Sequence, residues 1–244
     1  MPDLRTNEPE SPDATAERPT VLVTGATRGL GRTICETLAD DHHLLVGGRD
    51  AEATTALADS LPSATPFVAD VTDPSALAGA VDTVIGDGRL DAVVHNAGVI
   101  ASGPVAELRT DRWREQFEVN LFSVVELTRL LLPALRRARG LVVTINSGAG
   151  FVSSAGNGSY AATKFALRAF TDALREEERE HGVRVSSIHP GRIDTDMQRQ
   201  IQDHRGNMYD PSDHMTGASV AAAVRTAITL PEDAVVEMLS VRPS

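Results

Sequence analysis

Thr20-Val21-Leu22-Val23-Thr24-Gly25-Ala26-Thr27-Arg28-Gly29-Leu30-Gly31 decides the fold. Its first four residues are apolar or β-branched and read as a buried strand that stops at a glycine-rich turn. Beyond the turn, Leu30, Ile34 and Leu38 recur at i, i+4 and i+8, which gives a helix one apolar face. A strand, a glycine turn and a helix in that order make an anion cradle. Gly25 permits the tight turn, Gly29 lets a diphosphate approach the backbone, and Gly31 allows close helix–strand packing, with Thr27, Arg28 and Leu30 filling the turn. The helix N-terminus adds free N–H groups and a positive dipole end. A loop that merely turns the chain is the bland alternative, and the strand before and helix after weigh against it.

Outward from this stretch, short apolar runs alternate with helical patterns. Strands are predicted around 44–46, 67–68, 92–94, 141–145, 183–188 and 235–241. Helices are predicted around 51–60, 74–86, 110–136, 159–181 and 217–229. Asp73 stands at an N-cap with Pro74 in the first turn, and Gly182 occupies a helix C-cap position. Unbroken apolar strands alternating with helices predict a parallel sheet covered on both faces. The fold class is α/β: one Rossmann-type, doubly wound domain of about seven strands over residues 19–244, with ligands bound beyond the carboxyl ends of the strands. Residues 1–18 are polar and read as a disordered tail.

The 244 residues suit one such domain, and 41% hydrophobic with 23% charged residues is ordinary globular composition. No apolar run reaches the roughly 18 residues of a membrane span, and no signal-peptide pattern opens the chain. A net charge of −11 argues against a nucleic-acid partner. One cysteine, Cys35, excludes an internal disulfide and offers no metal cluster, so no metal is expected. These features point to the cytoplasm.

NAD-preferring dinucleotide folds place an acidic residue at the end of the second strand. Here that place reads Val46-Gly47-Gly48-Arg49. Arg49, with Arg28 in the turn, suits a 2′-phosphate, and Asp50 is assigned to helix N-capping. NADP(H) is the expected cofactor.

The 23 basic residues comprise 22 arginines and one lysine, Lys164, and there are two tyrosines. Tyr160 and Lys164 are four apart on a predicted helix and share a face. An unperturbed tyrosine, with a pKa of about 10, exchanges protons poorly near neutrality. An ammonium beside it, together with an oxidised nicotinamide, would stabilise the phenolate. Ser147 follows the fifth strand directly, where such folds keep their chemistry. Ser153, Ser154 and Ser159 are read as loop residues bonding their own backbone.

In these residues the chain resembles the short-chain dehydrogenase/reductase family, in its roughly 250-residue branch. The likeness runs over residues 19–241. It rests on Thr24–Gly31, His95-Asn96-Ala97-Gly98, Asn120, Ser147, Tyr160-Ala161-Ala162-Thr163-Lys164 and Pro190-Gly191. The resemblance implies that Asn120, Ser147, Tyr160 and Lys164 form a catalytic tetrad, with Asn120 interrupting the long helix to hold a water against Lys164. It implies that Asp70, with Val71 beside it, meets the adenine, and that Asn96, Ala97 and Gly98 line the ribose side. Pro190, Gly191, Ile193 and Thr195 would meet the nicotinamide. Tyr160 and Lys164 join the cofactor contacts.

The chain departs from the family's usual pattern at His95, taken as a tolerated strand-end substitution, and at a C-terminus without Asp-Gly-Gly. A homo-oligomer, dimer or tetramer, is still expected. The implied reaction interconverts a carbonyl and a secondary alcohol, so the partner is a small molecule, with no membrane. A lid at about 196–215 closes the pocket opposite Gly148 to Val152, and the lid's arginines are read as solvated. Two rivals remain: a dinucleotide-sensing regulator on the same scaffold with little turnover, and epimerisation or dehydration on a nucleotide sugar.

Overall fold

The computed structural model describes residues 18–199 and 208–244. Seven parallel strands form one sheet: β1 (Thr20–Val23), β2 (His43–Gly48), β3 (Ala64–Val68), β4 (Ala92–His95), β5 (Leu141–Ile145), β6 (Arg184–Pro190) and β7 (Met238–Val241). Their spatial order is β3-β2-β1-β4-β5-β6-β7. The chain therefore winds outward from β1 in both directions, and the crevice between β1 and β4 is the topological switch point.

Strand alternation sorts the core into two layers. Val21 and Val23 of β1, Leu44 and Val46 of β2, and Val94 of β4 point to one side. There they pack with Ile34, Cys35 and Leu38 of α1 (Gly29–Leu38) and with Val220 and Val224 of α7 (Gly217–Thr229). Leu22, Leu45, Val93 and Val142 point to the other side. They meet Leu77 of α3 (Pro74–Val84), Leu127, Leu131 and Leu135 of α5 (Ser123–Ala138), and Leu174 of α6 (Gly158–Glu178). A period-two pattern buried on both faces is what a parallel sheet between helical layers demands. α2 (Ala51–Ser60) and α4 (Thr110–Phe117) are two further helices among the described residues.

Several local expectations hold. Asp73 caps α3, accepting from Ser75 and Ala76 N–H with Pro74 in the first turn. Gly182 ends the α6 region with a left-handed φ of +74°. Asp50 caps α2 through the N–H of Ala53. Cys35 is buried, and desolvation pushes its thiol up to about 12, so it is an inert core residue.

Three expectations need correction. The helix that periodicity predicts over 110–136 is α4 and α5 joined by a π-turn, Glu118–Phe122, which contains Asn120, the residue at which the resemblance places an interruption. Ser159 is not a loop residue. It lies buried in the first turn of α6, accepts from Gln116 Nε2 at 2.8 Å and donates to the Ala101 carbonyl at 3.1 Å. Arg18, assigned to the tail, donates to the Ala39 carbonyl at 3.1 Å, while residues 1–17 lie outside the described residues. No helix among the described residues is long and apolar enough to cross a membrane.

Candidate active site

The glycine turn is held from below by Asn96. Its amide donates to the carbonyls of Thr24 (3.0 Å) and Gly25 (3.2 Å), while the N–H groups of Asn96 and Ala97 donate to Thr24 Oγ1. Gly25 takes φ +63° and Gly29 φ +53°, a region that favours glycine. A Cβ on Gly31 would lie 2.2 Å from the Gly25 carbonyl oxygen and 2.6 Å from Asn96 Nδ2. Gly31 is therefore required by the turn itself more than by helix–strand packing. A Cβ on Gly29 would meet nothing within 4 Å. Arg28 precedes α1 without a side-chain cap, so the first N–H groups of that helix have no side-chain partner there. Open space at Gly29 over uncapped helix donors fits a diphosphate.

The ends of β2 and β3 stand beside this cradle. A Cβ on Gly47 would fall 2.6 Å from the Val23 carbonyl oxygen, and one on Gly48 2.3 Å from Thr54 Oγ1 and 2.8 Å from Thr27 Cγ2. Packing against β1, α2 and the turn thus demands both glycines, and Arg49 emerges exposed just past them. The N–H and hydroxyl of Thr72 both donate to Asp70 (2.9 and 2.7 Å). These bonds, and the nearby Arg49 charge, hold its carboxyl below the usual range. Val71 is half-buried next to it. Arg28 pairs with Asp196 at 3.6 Å, both strongly exposed.

At the other side of the switch point, Ser147 follows β5, and Tyr160 and Lys164 lie one turn apart on α6. Lys164 is buried; its Nζ donates to the Ile145 carbonyl at 2.9 Å and sits 5.7 Å from the Tyr160 ring centre. Burial brings the ammonium down to about 8. Burial pushes the Tyr160 phenol up to about 12, against the opposing pull of the Ser147 hydroxyl. The lowered phenol expected from the sequence joined Lys164 to a charged nicotinamide; the protein alone keeps Tyr160 protonated. Ser147 Oγ also accepts from Ala149 N–H at 3.1 Å.

Asn120 is buried, and its amide is fully engaged. Oδ1 accepts from Val99 N–H (2.8 Å), and Nδ2 donates to the Val99 carbonyl (2.9 Å) and to Thr163 Oγ1 (3.1 Å). Thr163 in turn donates to the Tyr160 carbonyl at 2.7 Å. The side chain therefore ties the β4 loop, the π-turn and α6 together. Gly98 packs under this clamp, where a Cβ would stand 3.3 Å from Asn120 Oδ1.

The remaining expected residues are placed as follows. Pro190 ends β6, and Gly191 N–H donates to the Val241 carbonyl at 2.7 Å. Ile193 bridges to Met215, and Thr195 Oγ1 accepts from Gln198 N–H at 3.3 Å. Of the segment expected to form a lid, 200–207 lie outside the described residues, which takes in His204 and Arg205. Its far end is pinned by Tyr209, whose hydroxyl donates to Asp194 at 2.5 Å, and by the buried Met215. A cleft of about 460 Å³ opens at Ser147 and Tyr160, walled by Gly148, Ala149 and Val152.

Residues 19–206 match the family model described as short chain dehydrogenase. The chain belongs to the short-chain dehydrogenase/reductase family. It is 36% identical over 209 residues to dehydrogenase/reductase SDR family member 7B of Bos taurus, covering 80% of this chain and 64% of that protein. The chain thus spans under two thirds of that relative's length. An alcohol dehydrogenase from Thermococcus sibiricus, solved with 5-hydroxy-NADP, superposes with a TM-score of 0.83 at 28% identity, covering 93% of this chain and 97% of that one. A 3-oxoacyl-[acyl-carrier protein] reductase from Brucella melitensis, solved with NAD, gives 0.79 at 29% identity, covering 93% and 90%.

In this short-chain dehydrogenase/reductase, sequence reasoning missed several supports of the site. His189 is wholly buried; its Nδ1 faces the Ser147 carbonyl at 3.1 Å and its Nε2 faces Ser187 Oγ at 2.8 Å. Phe151 packs on that ring at 4.3 Å between centres, with the Arg168 guanidinium 4.7 Å over its own face, so it serves the protein. Asn146 Oδ1 accepts from Ser147 N–H (2.9 Å), and its Nδ2 donates to the Lys164 carbonyl (3.2 Å). Only the strand-end positions of Asn146 and His189 hinted at these contacts. His95 is buried against Thr128 Oγ1 at 2.9 Å and desolvation drops it to about 3, so it stays neutral, as the tolerated substitution requires.

Proposed function

We propose that the chain is an NADP(H)-dependent oxidoreductase of the cytoplasm that interconverts a carbonyl and a secondary alcohol, with Tyr160 as proton donor and acceptor. The observation that carries the reading is Tyr160 set between the Ser147 hydroxyl and the buried Lys164 at the mouth of the cleft. When bound, the nicotinamide supplies or accepts the hydride. In the reducing direction Tyr160, kept protonated by burial, donates to the carbonyl oxygen, and Ser147 gives it a hydrogen bond that strengthens as charge builds. Lys164, poised near neutrality, restores the tyrosine's proton. Asn120 completes the tetrad from the π-turn, fixed beside α6 by its bonds to Val99 and Thr163.

NADP(H) over NAD(H) is supported by Arg49 and Arg28 flanking the ribose end. Asp50, the one carboxylate that would argue for NAD, is spent on capping α2. Asp70 and Val71 suit the adenine, and Ile193 and Thr195 the nicotinamide. The reading includes a homo-oligomer, dimer or tetramer, for which Phe122, Val125 and Phe165 offer exposed apolar surface on the π-turn, α5 and α6. The domain reading stays as one unit over 19–244, with the lid at about 196–215.

Titrating the protein with NADPH and NADH, followed by fluorescence and thermal shift, tests the proposal. Tight NADPH and weak NADH binding supports it. Binding of neither removes the basis for an enzyme.

A further inference from the structure

The substrate side of the cleft is cationic, in a chain where 34 acidic residues outnumber 23 basic ones. Arg192, two residues past the end of β6, and Arg242, just past β7, line the same cleft as Ser147 and Tyr160. Both also line the adjoining cavity of about 440 Å³. The strand order puts them two and three positions beyond β4, away from β1–β3, where the diphosphate and adenine sites lie. Their charge thus stands at the end of the site where Ser147 and Tyr160 lie, away from the glycine turn after β1.

Arg242 comes closest to the reacting position. A Cβ on Gly148 would lie 2.5 Å from its Nη1 and 3.2 Å from its Cζ, so the guanidinium rests on the residue next to Ser147. Gly148 directly follows Ser147, so this cation lies on the cleft wall beside the serine. Among the described residues, neither Arg192 nor Arg242 has a carboxylate within 4.0 Å, whereas Arg28, Arg136, Arg175 and Arg225 do. Asp213 and the C-terminal Ser244 line the adjoining cavity, neither with a carboxylate oxygen within 4.0 Å of the two guanidinium groups. The field is legible at His189: besides burial, the charges of Arg168, Arg242 and Lys164 hold its ring below the ordinary range.

We infer that Arg192 and Arg242 form an acid-binding subsite beside Ser147, and that the substrate is an oxo acid or hydroxy acid whose carboxylate they receive. The inference rests on the carbonyl–alcohol reading of the site. A guanidinium presents paired N–H donors that match a carboxylate, and it stays charged at any working pH.

The test uses 2-oxobutanoate, acetoacetate and levulinate, each against its methyl ester, with the full chain and NADPH. Both kcat/KM and thermal shift are read at low and at high salt. At least one acid is expected to exceed its ester by about tenfold in both readouts, with the margin shrinking at high salt because partly exposed charges are screened. In Arg242→Ala and Arg192→Ala the acid-to-ester ratio falls towards one, chiefly through KM, and Arg242→Lys restores part of it. Esters handled as well as acids across the panel overturn the acid subsite while leaving the oxidoreductase reading intact. Acids that shift melting through Arg242 without any turnover support the subsite and overturn the oxidoreductase reading instead.

Discussion

The Nζ of Lys164 donates to the carbonyl of Ile145, the last residue of β5, at 2.9 Å. A side chain on α6 is thereby locked to the strand that delivers Ser147. The lock carries an electrostatic cost, because burial lowers the ammonium to about 8 from an ordinary 10.5. Between those values the unfolded chain binds more protons at Lys164 than the folded one, so stability gained there rises with pH. Tyr160 acts oppositely: its folded value of about 12 lies above the ordinary 10, so its contribution is lost as pH rises through that window. Wild-type melting temperature should therefore carry an upward component from pH 8 to 10 that is absent in Lys164→Met. Identical pH profiles for the two proteins would contradict the assignment.

Tyr160→Phe removes one hydroxyl and leaves the ring. Turnover should drop by roughly 100-fold or more, the usual span for losing a general acid, with NADPH affinity little changed. Ser147→Ala should also fall, by about 100-fold, as a lost transition-state hydrogen bond. It also deprives Ala149 N–H of its acceptor, so its melting temperature should drop while that of Tyr160→Phe does not. Full activity in the phenylalanine variant would end the case for Tyr160.

The fold was legible because its signals are local and periodic. The alternation of Val21, Leu22 and Val23 and the i, i+4, i+8 pattern of Leu30, Ile34 and Leu38 each need only neighbouring residues. Ser147, Tyr160 and Lys164 were legible because the sole lysine stands one turn from one of two tyrosines. What the sequence hid depends on contacts across long separations. The clamp of Asn120 on Val99 and Thr163, the ring of His189 under Ser147, and the guanidinium of Arg242 over Gly148 join segments that only the folded sheet brings together. The break in the long helix at Asn120 came from the family resemblance and not from the apolar periodicity, which runs unbroken from Phe117 to Leu131; its form, a π-turn over Glu118–Phe122, accompanies the tertiary bonds of Asn120 to Val99 and Thr163.

On the NADP(H) reading, cofactor preference turns on Arg49. Its exposed guanidinium stands just past β2, near enough to Asp70 to lower that carboxyl. Arg49→Ala should weaken NADPH binding by about tenfold or more and NADH binding by far less, because only the former carries the 2′-phosphate. Arg28→Ala should act in the same direction but less, since Arg28 already shares its charge with Asp196 at 3.6 Å. Equal losses for both cofactors in Arg49→Ala would assign the residue to general electrostatics.

Glycine substitutions separate the cradle from ordinary helix. Gly79 is exposed inside α3, and a Cβ there would meet nothing within 4 Å. Gly79→Ala should therefore stabilise the protein by about 0.5–1 kcal/mol, by restricting the unfolded chain and raising helix propensity. Gly31→Ala also lies in a helix, but its methyl would collide with the Gly25 carbonyl at 2.2 Å and with Asn96 Nδ2 at 2.6 Å. The two groups it meets hold the glycine turn, so relief means moving the turn proposed to cradle the diphosphate. Gly31→Ala should lower the denaturation midpoint and abolish the thermal shift produced by NADPH, while Gly79→Ala raises the midpoint and keeps that shift. A Gly31→Ala protein that melts and binds like wild type would show that the turn tolerates displacement, and would detach the cradle from the geometry of Asn96.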